Sequence, residues 1–360
     1  MRIALIGAYG FTGKLISHEL QNFKLPFTAY GRNVEKLTEL KNEYSCIDAI
    51  SGIDLRKKDD VSVIISNSDI IINCAGPFTE EATLILEQIA DSGKIYLDIT
   101  GEIGFVRSSH EKFNARAQKS NSLIIHGCAF ESLVADLGLV YISEKLGSIK
   151  NVRTFYNFNQ LKASPGTKMT MKLSKFRKIL KIDKQNWSES NFKDDQLHIT
   201  IDKKSEHIAI PYPLPEIAYS LWNYSAHKAE SFLLVGLKEA KYFKGASDDS
   251  GDSLETLDAI RLRKRKGPTT EERAMQKSAL VLDVESDSNQ VLQVLLESSD
   301  MYLTTAKAIV LSVEKLLQID NKPNGVISPG QLFKGNVMAA LKDLEVELSE
   351  SPDYKITPVN

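Results

Sequence analysis

The chain has 360 residues, of which 42% are hydrophobic and 26% charged, and its formal net charge is −2. This composition is ordinary for a globular protein, and the length suggests about two domains. The near-neutral charge provides no overall electrostatic attraction to nucleic acid or to an anionic membrane surface, so we expect neither as a partner.

The sequence lacks the signals of secretion, membrane insertion and metal binding. The first residues lead directly into a strand-like run, and no stretch reaches the roughly 18 apolar residues that span a bilayer. The three cysteines, Cys46, Cys74 and Cys128, have the spacing of neither a disulfide framework nor a zinc site. The histidines show no metal-ligand spacing either. We therefore expect a cytoplasmic protein without a bound metal.

The most informative segment lies at the start of the chain. A buried-strand run over 3–6 breaks into Gly7, Gly10 and Gly13, and a helical pattern follows. Such a unit binds a pyrophosphate: the first glycine permits the tight turn, the second lets the backbone approach the phosphates, and the third lets the helix pack closely. The alternative is an ordinary glycine-rich turn, since the spacing departs from G-x-G-x-x-G. We predict that a dinucleotide contacts Gly7, Tyr9, Gly10, Phe11, Thr12 and Gly13.

The end of the second predicted strand indicates which dinucleotide binds. An NAD site usually has an acidic residue about 20 positions beyond the glycines, but here the strand 27–30 runs into Gly31, Arg32 and Asn33. A guanidinium suits a 2′-phosphate, so the sequence favours NADP, with Arg32 and Asn33 as ligands. The alternative is a solvated Arg32 beside an asparagine that only caps the helix 34–40.

Strands and helices continue to alternate to about residue 126. We predict strands within 69–76, 94–99 and 123–126, and helices over 80–93 and 110–119. This order predicts an α/β fold whose N-terminal part is a parallel, doubly wound sheet.

Ligands of such sheets bind beyond the carboxyl ends of the strands, so residues that follow the predicted strands converge on one cleft. Asp98 and Glu102 are the first candidates for proton transfer, with ribose or helix N-terminus binding as their alternative role. Tyr156, in the second half, is a third catalytic candidate. The predicted cofactor-binding residues at the strand ends are Cys74, Ala75, Gly76, Pro77 and Thr100.

Four blocks in this part of the chain resemble the signatures of a known family. They are residues 7–13, 31–33, 73–78 and 96–102, and the later segments 267–273 and 325–330 are similar too. The family is that of the saccharopine dehydrogenase-like oxidoreductases, which includes the trans-acting enoyl reductases. The resemblance implies an NADP-binding Rossmann domain, a second α/β or α+β domain, and reductase chemistry, without naming the substrate.

One block departs from the family pattern. Where members commonly read Gly-Phe-Asp-Ser-x-Pro-Ser-Asp, this chain has Ala-Phe-Glu-Ser-Leu-Val-Ala-Asp at 129–136. Glu131 therefore replaces an Asp, and the Pro and the second Ser are absent. We expect a differently shaped helix entry here.

The second half of the chain has another pattern. Strand-like runs at 152–156, 197–201, 231–235 and 278–283, with a helical stretch over 166–182, suit an antiparallel sheet with helices on one face. Two helices are predicted at the end of the chain, over 302–317 and over 328–348, the second capped by Ser328. We predict a Rossmann domain over 1–130, an α+β substrate or dimerisation domain over 131–299, and C-terminal helices over 300–360 that pack on the Rossmann domain.

Two basic clusters have a structural and a functional interpretation. The run 261–266 lies between acidic segments, which favours a solvated loop over nucleic-acid binding. The amphipathic stretch 168–181 favours core packing over contact with a membrane surface or an acyl group.

Together these observations predict an NADPH-dependent reductase that transfers a hydride to an unsaturated acyl (enoyl) substrate or to an imine. The expected partner is a small molecule, acyl or derived from an amino acid, and a homodimer is compatible with the sequence. The alternative is a non-catalytic NADP-binding scaffold or sensor, which the altered block at 129–136 would permit.

Overall fold

The computed structural model describes residues 1–76, 78, 80–159, 162–164, 166–167, 179–190, 197–201, 205–236, 267–350 and 354–358. These residues form two compact units, one of residues 1–137 with 301–345 and the other of residues 138–300 with 346–360. Pro77, the basic run 261–266 and most of the amphipathic stretch 168–181 lie outside the described residues.

The first unit alternates strands and helices from its first residues. Its strands are β1 (Ile3–Ile6), β2 (Phe27–Gly31), β3 (Ile47–Gly52), β4 (Ile70–Asn73), β5 (Ile95–Asp98), β6 (Leu123–Ile125) and, further along, β15 (Gly325–Ile327). The helices before β6 are α1 (Phe11–Asn22), α2 (Val34–Glu43), α3 (Lys58–Asn67), α4 (Glu80–Ile89) and α5 (Ile103–Ser120). A π-helix (Phe130–Val134) follows β6 and continues into α6 (Ala135–Leu146).

The described strands of this unit form one parallel sheet in the order β15-β6-β5-β4-β1-β2-β3. The order of β1 to β6 is that of a doubly wound dinucleotide-binding fold, whose two halves meet between β1 and β4. β1 and β4 are apolar and buried at every position, as expected of parallel strands covered by helices on both faces. The predicted fold class is confirmed.

The C-terminal part of the first unit begins with the long helix α9 (Met301–Gln318). A single helix was expected over 328–348, but the structure has a 3₁₀ helix (Pro329–Phe333), a short helix α10 (Val337–Asp343) and then a strand. Gly335 lies between the two helices with φ +74°, a left-handed conformation that ends a right-handed helix. Ser328 makes no side-chain cap bond; Asp136 Oδ2 accepts the Gly330 N–H instead, at 2.6 Å.

The second unit is built on a mixed sheet. The strands are β7 (Asn151–Asn159), β8 (Ile179–Asp183), β9 (Asn186–Ser190), β10 (Leu197–Ile201), β11 (Ser205–Pro211), β12 (Lys228–Gly236), β13 (Lys277–Glu285), β14 (Val291–Ser298), β16 (Glu347–Glu350) and β17 (Tyr354–Pro358). The central order is β16-β14-β13-β7-β12-β11-β10-β17, in which β7 and β12 are parallel and the other neighbours antiparallel. Helices α7 (Glu216–Tyr224) and α8 (Thr270–Ala274) accompany them.

The expected helix over 166–182 is wrong at its end, because residues 179–183 form β8. β8 and β9 make a hairpin whose two turn residues, Lys184 and Gln185, both have positive φ, at 50° and 61°. This is the turn conformation that matches the twist of paired strands. β8 also pairs with β12, so tertiary pairing overrides the helical pattern of the sequence.

Candidate cofactor and active site

The glycine turn after β1 is as compact as its sequence predicts. Gly7 has φ +78°, and a Cβ there would lie 3.1 Å from the Ala75 nitrogen at the end of β4. A Cβ on Gly13 would lie 2.2 Å from the Gly7 carbonyl oxygen, so α1 can approach β1 only with glycine at this position. A Cβ on Gly10 would lie 3.0 Å from the same oxygen. None of these three glycine positions therefore has room for a side chain.

Gly10 is also the N-cap of α1, and no side chain caps this helix. The first N–H groups of a helix have no acceptor inside it. Together with the helix dipole they form a cradle for an anion, and side-chain-free backbone lets a phosphate approach it. The geometry of this chain therefore fits a pyrophosphate at the point where the two halves of the sheet meet.

Other residues of the turn pack against their surroundings. The Phe11 ring meets Tyr302 of α9 edge-on, with 5.0 Å between the ring centroids. Thr12 is half-buried in the first turn of α1. Tyr9 lies over Gly31, where a Cβ would come within 2.5 Å of its Cε1 atom. The Tyr9 hydroxyl accepts the Asn33 N–H at 3.3 Å, so the glycine turn and the end of β2 are connected directly.

The end of β2 exposes a guanidinium. Asn33 caps α2, since its Oδ1 accepts the Lys36 N–H at 2.9 Å. Arg32, between Gly31 and the cap, is exposed. In the described part of the chain it makes neither a side-chain hydrogen bond nor an ion pair. The capping role of Asn33 is thus established, and Arg32 is available to a ligand.

The end of β4 is held to β1 and β5. Cys74 donates to the Ile6 carbonyl through both its N–H and its Sγ, each at 3.1 Å. Burial raises the pKa of the Cys74 thiol to about 12, which disfavours a thiolate nucleophile. Asn73 donates to the Tyr96 hydroxyl at 3.0 Å and accepts the Ala75 N–H at 3.0 Å. Gly76 is exposed beyond this bonded segment.

Asp98 ends β5 and is completely enclosed. Its Oδ1 accepts the N–H groups of Thr100 and Gly127, at 3.1 and 3.0 Å. Its Oδ2 lies 2.7 Å from His126 Nδ1. The side chain is 0% exposed, and both oxygens have partners. The Asp98 carboxylate therefore holds the turns after β5 and β6 together.

The contact with His126 continues to α5. His126 Nε2 lies 2.7 Å from Ser109 Oγ, and both residues are buried. Each ring nitrogen of His126 therefore faces one polar group, the Asp98 carboxylate at Nδ1 and the Ser109 hydroxyl at Nε2. Ser109, His126 and Asp98 thus form a buried chain of hydrogen bonds, hereafter the serine–histidine–aspartate chain.

Thr100 and Glu102 form a second small network just beyond β5. The Thr100 hydroxyl donates to Glu102 Oε2 at 2.7 Å and accepts the Glu102 N–H at 3.1 Å. Glu102 is also the N-cap residue of α5. The residues 98–102 are therefore ordered by contacts within the turn and with the end of β6.

The π-helix after β6 adds a second carboxyl group near Glu102. Burial, together with the charge of Glu102, raises the pKa of the Glu131 carboxyl to about 7. Further along, burial raises the pKa of Asp136 to about 6, although Ser328, the Gly330 N–H and the Lys334 charge oppose that rise. π-Helical turns are frequent at functional sites.

The predicted catalytic residues fall in both units. Asp98 and Glu102 lie in the first unit, four residues apart in one hydrogen-bonded turn. Tyr156 lies in the middle of β7 in the second unit, is fully buried and stacks on Phe158 with 5.9 Å between ring centroids. Sequence reasoning missed Ser109, His126 and Glu131, although the strand ends at Asp98 and His126 were expected to adjoin.

No group of three or more His, Cys, Asp or Glu side chains in the described residues could hold a metal ion. Nor does any helix among them combine the length and the apolar character needed to cross a membrane.

Comparisons with known proteins agree with the fold and the motifs. No family model matches the chain. An Arabidopsis thaliana protein named as a mitochondrial saccharopine dehydrogenase-like oxidoreductase is 32% identical over 153 residues, 39% of this chain and 34% of that protein. A Mycobacterium tuberculosis protein named as a trans-acting enoyl reductase is 25% identical over 142 residues, 38% of this chain and 34% of that protein. The chain thus matches about a third of the length of these relatives.

Among solved structures, apo saccharopine dehydrogenase (L-Glu forming) from Saccharomyces cerevisiae has a TM-score of 0.64 to this chain at 11% identity. The match covers 97% of this chain and 99% of that one. At this identity the likeness shows a shared fold. The resemblance to saccharopine dehydrogenase-like proteins that the motifs indicate is confirmed.

Proposed function

We propose that this relative of the saccharopine dehydrogenase-like oxidoreductases is an NADPH-dependent reductase that acts on a small molecule. The observation that carries the proposal is the glycine turn after β1, which leaves no room for a Cβ and ends at a helix N-terminus without a side-chain cap. The names of the relatives and the shared fold support oxidoreductase chemistry at this turn.

The proposed choice of NADP over NAD rests on the end of β2. Arg32 is exposed there, and no acidic side chain follows the strand directly. A charge-assisted hydrogen bond to a 2′-phosphate contributes roughly 1.5–3 kcal/mol, or about 10- to 100-fold in affinity. Tyr9 and Asn33 fix the backbone beside Arg32.

The bound nicotinamide would supply the hydride, and the chain would position the substrate and manage a proton. We assign these tasks to the turn after β5. Glu102 supports proton transfer or orients the substrate, and Thr100 holds its carboxylate in place. Asp98 acts as a positioning residue, since both its oxygens are occupied by the chain. Tyr156, the third catalytic candidate of the sequence, stays a prediction.

We propose an enoyl or an imine substrate. The name of the mycobacterial relative supports the first and the saccharopine dehydrogenase-like motifs support the second. Both contain a double bond that accepts a hydride at carbon and a proton at its other end. For the compartment we propose the cytoplasm, because Cys46, Cys74 and Cys128 are free thiols and suit a reducing environment.

The test has a binding arm and a turnover arm. Calorimetry should show NADPH binding, its loss in Gly10→Val, and weaker binding of NADH. NADPH oxidation should then be measured with panels of enoyl thioesters, imines and short ketones. Oxidation with one class identifies the substrate. Binding without turnover on any panel member would favour a scaffold or sensor, and absence of binding would refute the cofactor site.

A further inference from the structure

We propose that His126 is a positioning residue for the Glu102 carboxylate, which it fixes from inside the protein through Asp98 and Thr100. The inference rests on the proposed reductase function, which assigns Glu102 to the substrate, and it adds the group that holds Glu102 in place. It gives a task to His126 and Ser109, which that function leaves unused.

The order of groups in the serine–histidine–aspartate chain resembles the catalytic triad of serine hydrolases, but its burial does not suit that chemistry. A triad serine must meet a substrate carbonyl, whereas Ser109 is 2% exposed and lies within α5. His126 and Asp98 are both 0% exposed. The imidazole has a contact of 2.7 Å at each of its nitrogens, so the chain is built to hold neighbouring groups in place.

One route from His126 to Glu102 runs through the turn after β5, and we call it the turn route. Asp98 Oδ2 lies 2.7 Å from His126 Nδ1, so the imidazole fixes the plane of the carboxylate. The other oxygen of that carboxylate accepts the Thr100 N–H at 3.1 Å. The Thr100 hydroxyl in turn donates to Glu102 Oε2 at 2.7 Å. Successive hydrogen bonds thus join the imidazole to the glutamate carboxylate.

A second route, the helix route, runs through α5, which begins directly after Glu102. His126 Nε2 lies 2.7 Å from Ser109 Oγ. The Phe105 ring meets the imidazole edge-on, with 5.3 Å between the ring centroids, and the Tyr96 ring packs on it in the same way at 6.1 Å. One imidazole therefore anchors both the turn before Glu102 and the helix after it.

The turn route is the one that acts on the carboxylate of Glu102. Thr100 contacts a side-chain oxygen of Glu102, whereas the Phe105 N–H of α5 contacts its backbone carbonyl, at 2.9 Å. We therefore expect loss of the contact between His126 and Asp98 to displace the Glu102 carboxylate. Loss of the contact between His126 and Ser109 should leave that carboxylate in place.

Two amide side chains separate these contacts. Asparagine carries its amide at the position of the imidazole Nδ1, and glutamine carries its amide at the position of Nε2. His126→Asn thus keeps a partner for Asp98, and His126→Gln keeps a partner for Ser109, because an amide can both donate and accept. Both variants lose the ring and one hydrogen bond, so each is the matched control of the other.

Hydrogen exchange of single backbone N–H groups, followed by NMR on the full wild-type chain, tests the anchor without turnover. The N–H groups of Thr100 and Gly127 both donate to Asp98 Oδ1. They should exchange at least about 10-fold more slowly than the N–H of Gly104, in the first turn of α5, where helical N–H groups have no acceptor inside the helix. Exchange of Thr100 and Gly127 as fast as that of Gly104 would overturn the proposal.

The same measurement on variants separates the two routes. His126→Gln should speed the exchange of the Thr100 N–H by about 10-fold or more, and His126→Asn should leave it within about threefold of the wild type. Ser109→Ala, a milder change that removes only the hydrogen bond of the helix route, should behave as His126→Asn does. Equal rates in the two His126 variants, or fast exchange in Ser109→Ala, would contradict the turn route.

Kinetics test the effect on the reaction, with the substrate that the panels identify. His126→Gln should lower kcat by roughly 100-fold, because a misplacement of about 1 Å can cost that much, while NADPH affinity stays within about twofold by calorimetry. His126→Asn should recover most of the loss. Equal kcat in the two variants overturns the positioning role. A wild type that turns over no substrate overturns the proposed function with it, whereas an unprotected Thr100 N–H in an active enzyme overturns the anchor alone.

Discussion

The His126 imidazole lies 2.7 Å from the Asp98 carboxylate in a fully buried position and joins the carboxyl ends of β5 and β6. The contact explains why Asp98, an attractive catalytic candidate in the sequence, has no free oxygen. Its Oδ1 accepts two backbone N–H groups and its Oδ2 faces the ring. Buried polar networks of this kind are costly to leave partly satisfied.

Ser109→Ala should destabilise the first unit. The substitution leaves His126 Nε2 without its partner in a site closed to water, which costs about 1–3 kcal/mol. Urea unfolding at pH 7 measures the change. Ser108→Ala, at the half-buried neighbouring position of the same helix, is the matched control and should stay within about 0.5 kcal/mol of the wild type. Equal stability of the two variants would show that the serine–histidine–aspartate chain contributes little to folding.

Alanine at Gly13 and at Gly104 should have opposite effects. At Gly13 the new methyl group would lie 2.2 Å from the Gly7 carbonyl oxygen, so α1 must move away from β1. We expect a loss of about 1–3 kcal/mol and weaker NADPH binding. At Gly104, in the first turn of α5, a Cβ meets nothing within 4 Å, and alanine should stabilise by up to about 1 kcal/mol. Thermal unfolding and calorimetry compare them, and a harmless Gly13→Ala would contradict the close approach.

Arg32→Ala should separate the two nicotinamide cofactors. NADPH should bind about 10- to 100-fold more weakly, while NADH affinity changes only a few fold, since only the 2′-phosphate contact is lost. Arg56→Ala removes the same charge near the end of β3, but that guanidinium is paired with Asp54 at 2.6 Å, so its effect should be small. Titration calorimetry with both cofactors decides. Similar losses for NADPH and NADH in Arg32→Ala would assign the residue a structural role.

Asp136 should make the protein less stable as the pH rises. Its pKa is about 6 in the folded chain and about 4 when unfolded, so the folded state holds the proton more tightly. The contribution of Asp136 to the free energy of unfolding is therefore largest below about pH 4. It falls between about pH 4 and pH 6 and stays level at higher pH. Asp136→Asn should remove this fall, so that its stability relative to the wild type improves by about 1–3 kcal/mol from pH 4 to pH 7.

Asp91→Asn is the control of opposite sign. The hydrogen bond from Arg116 lowers the pKa of Asp91 in the folded chain. The contribution of Asp91 to folding stability is therefore present at neutral pH and is lost as the pH falls. Urea unfolding of both variants over this range gives the comparison. An Asp136→Asn protein with the same pH dependence as the wild type would rule out the buried carboxyl as the cause.

Features that depend on near neighbours in the chain were predictable from the sequence alone. The glycine spacing and the apolar run before it predict the turn and the doubly wound sheet, because both follow from backbone conformation and period. The cap of α2 was predictable for the same reason, since Asn33 and Lys36 are three residues apart. The candidate strand ends at Cys74, Asp98 and Arg32 follow from the same local patterns.

Contacts between distant segments were decided only by the tertiary structure. Asp136 caps a helix 194 residues further along the chain, and His126 reaches Asp98 across 28 residues. β8 is a strand because β9 and β12 pair with it, although its residues continue a helical pattern. Such hydrogen bonds leave no periodic signal in the sequence, because their partners are brought together by the packing of the whole unit. For that reason the sequence could suggest which strand ends carry polar groups, and only the fold determined which of those groups are already occupied.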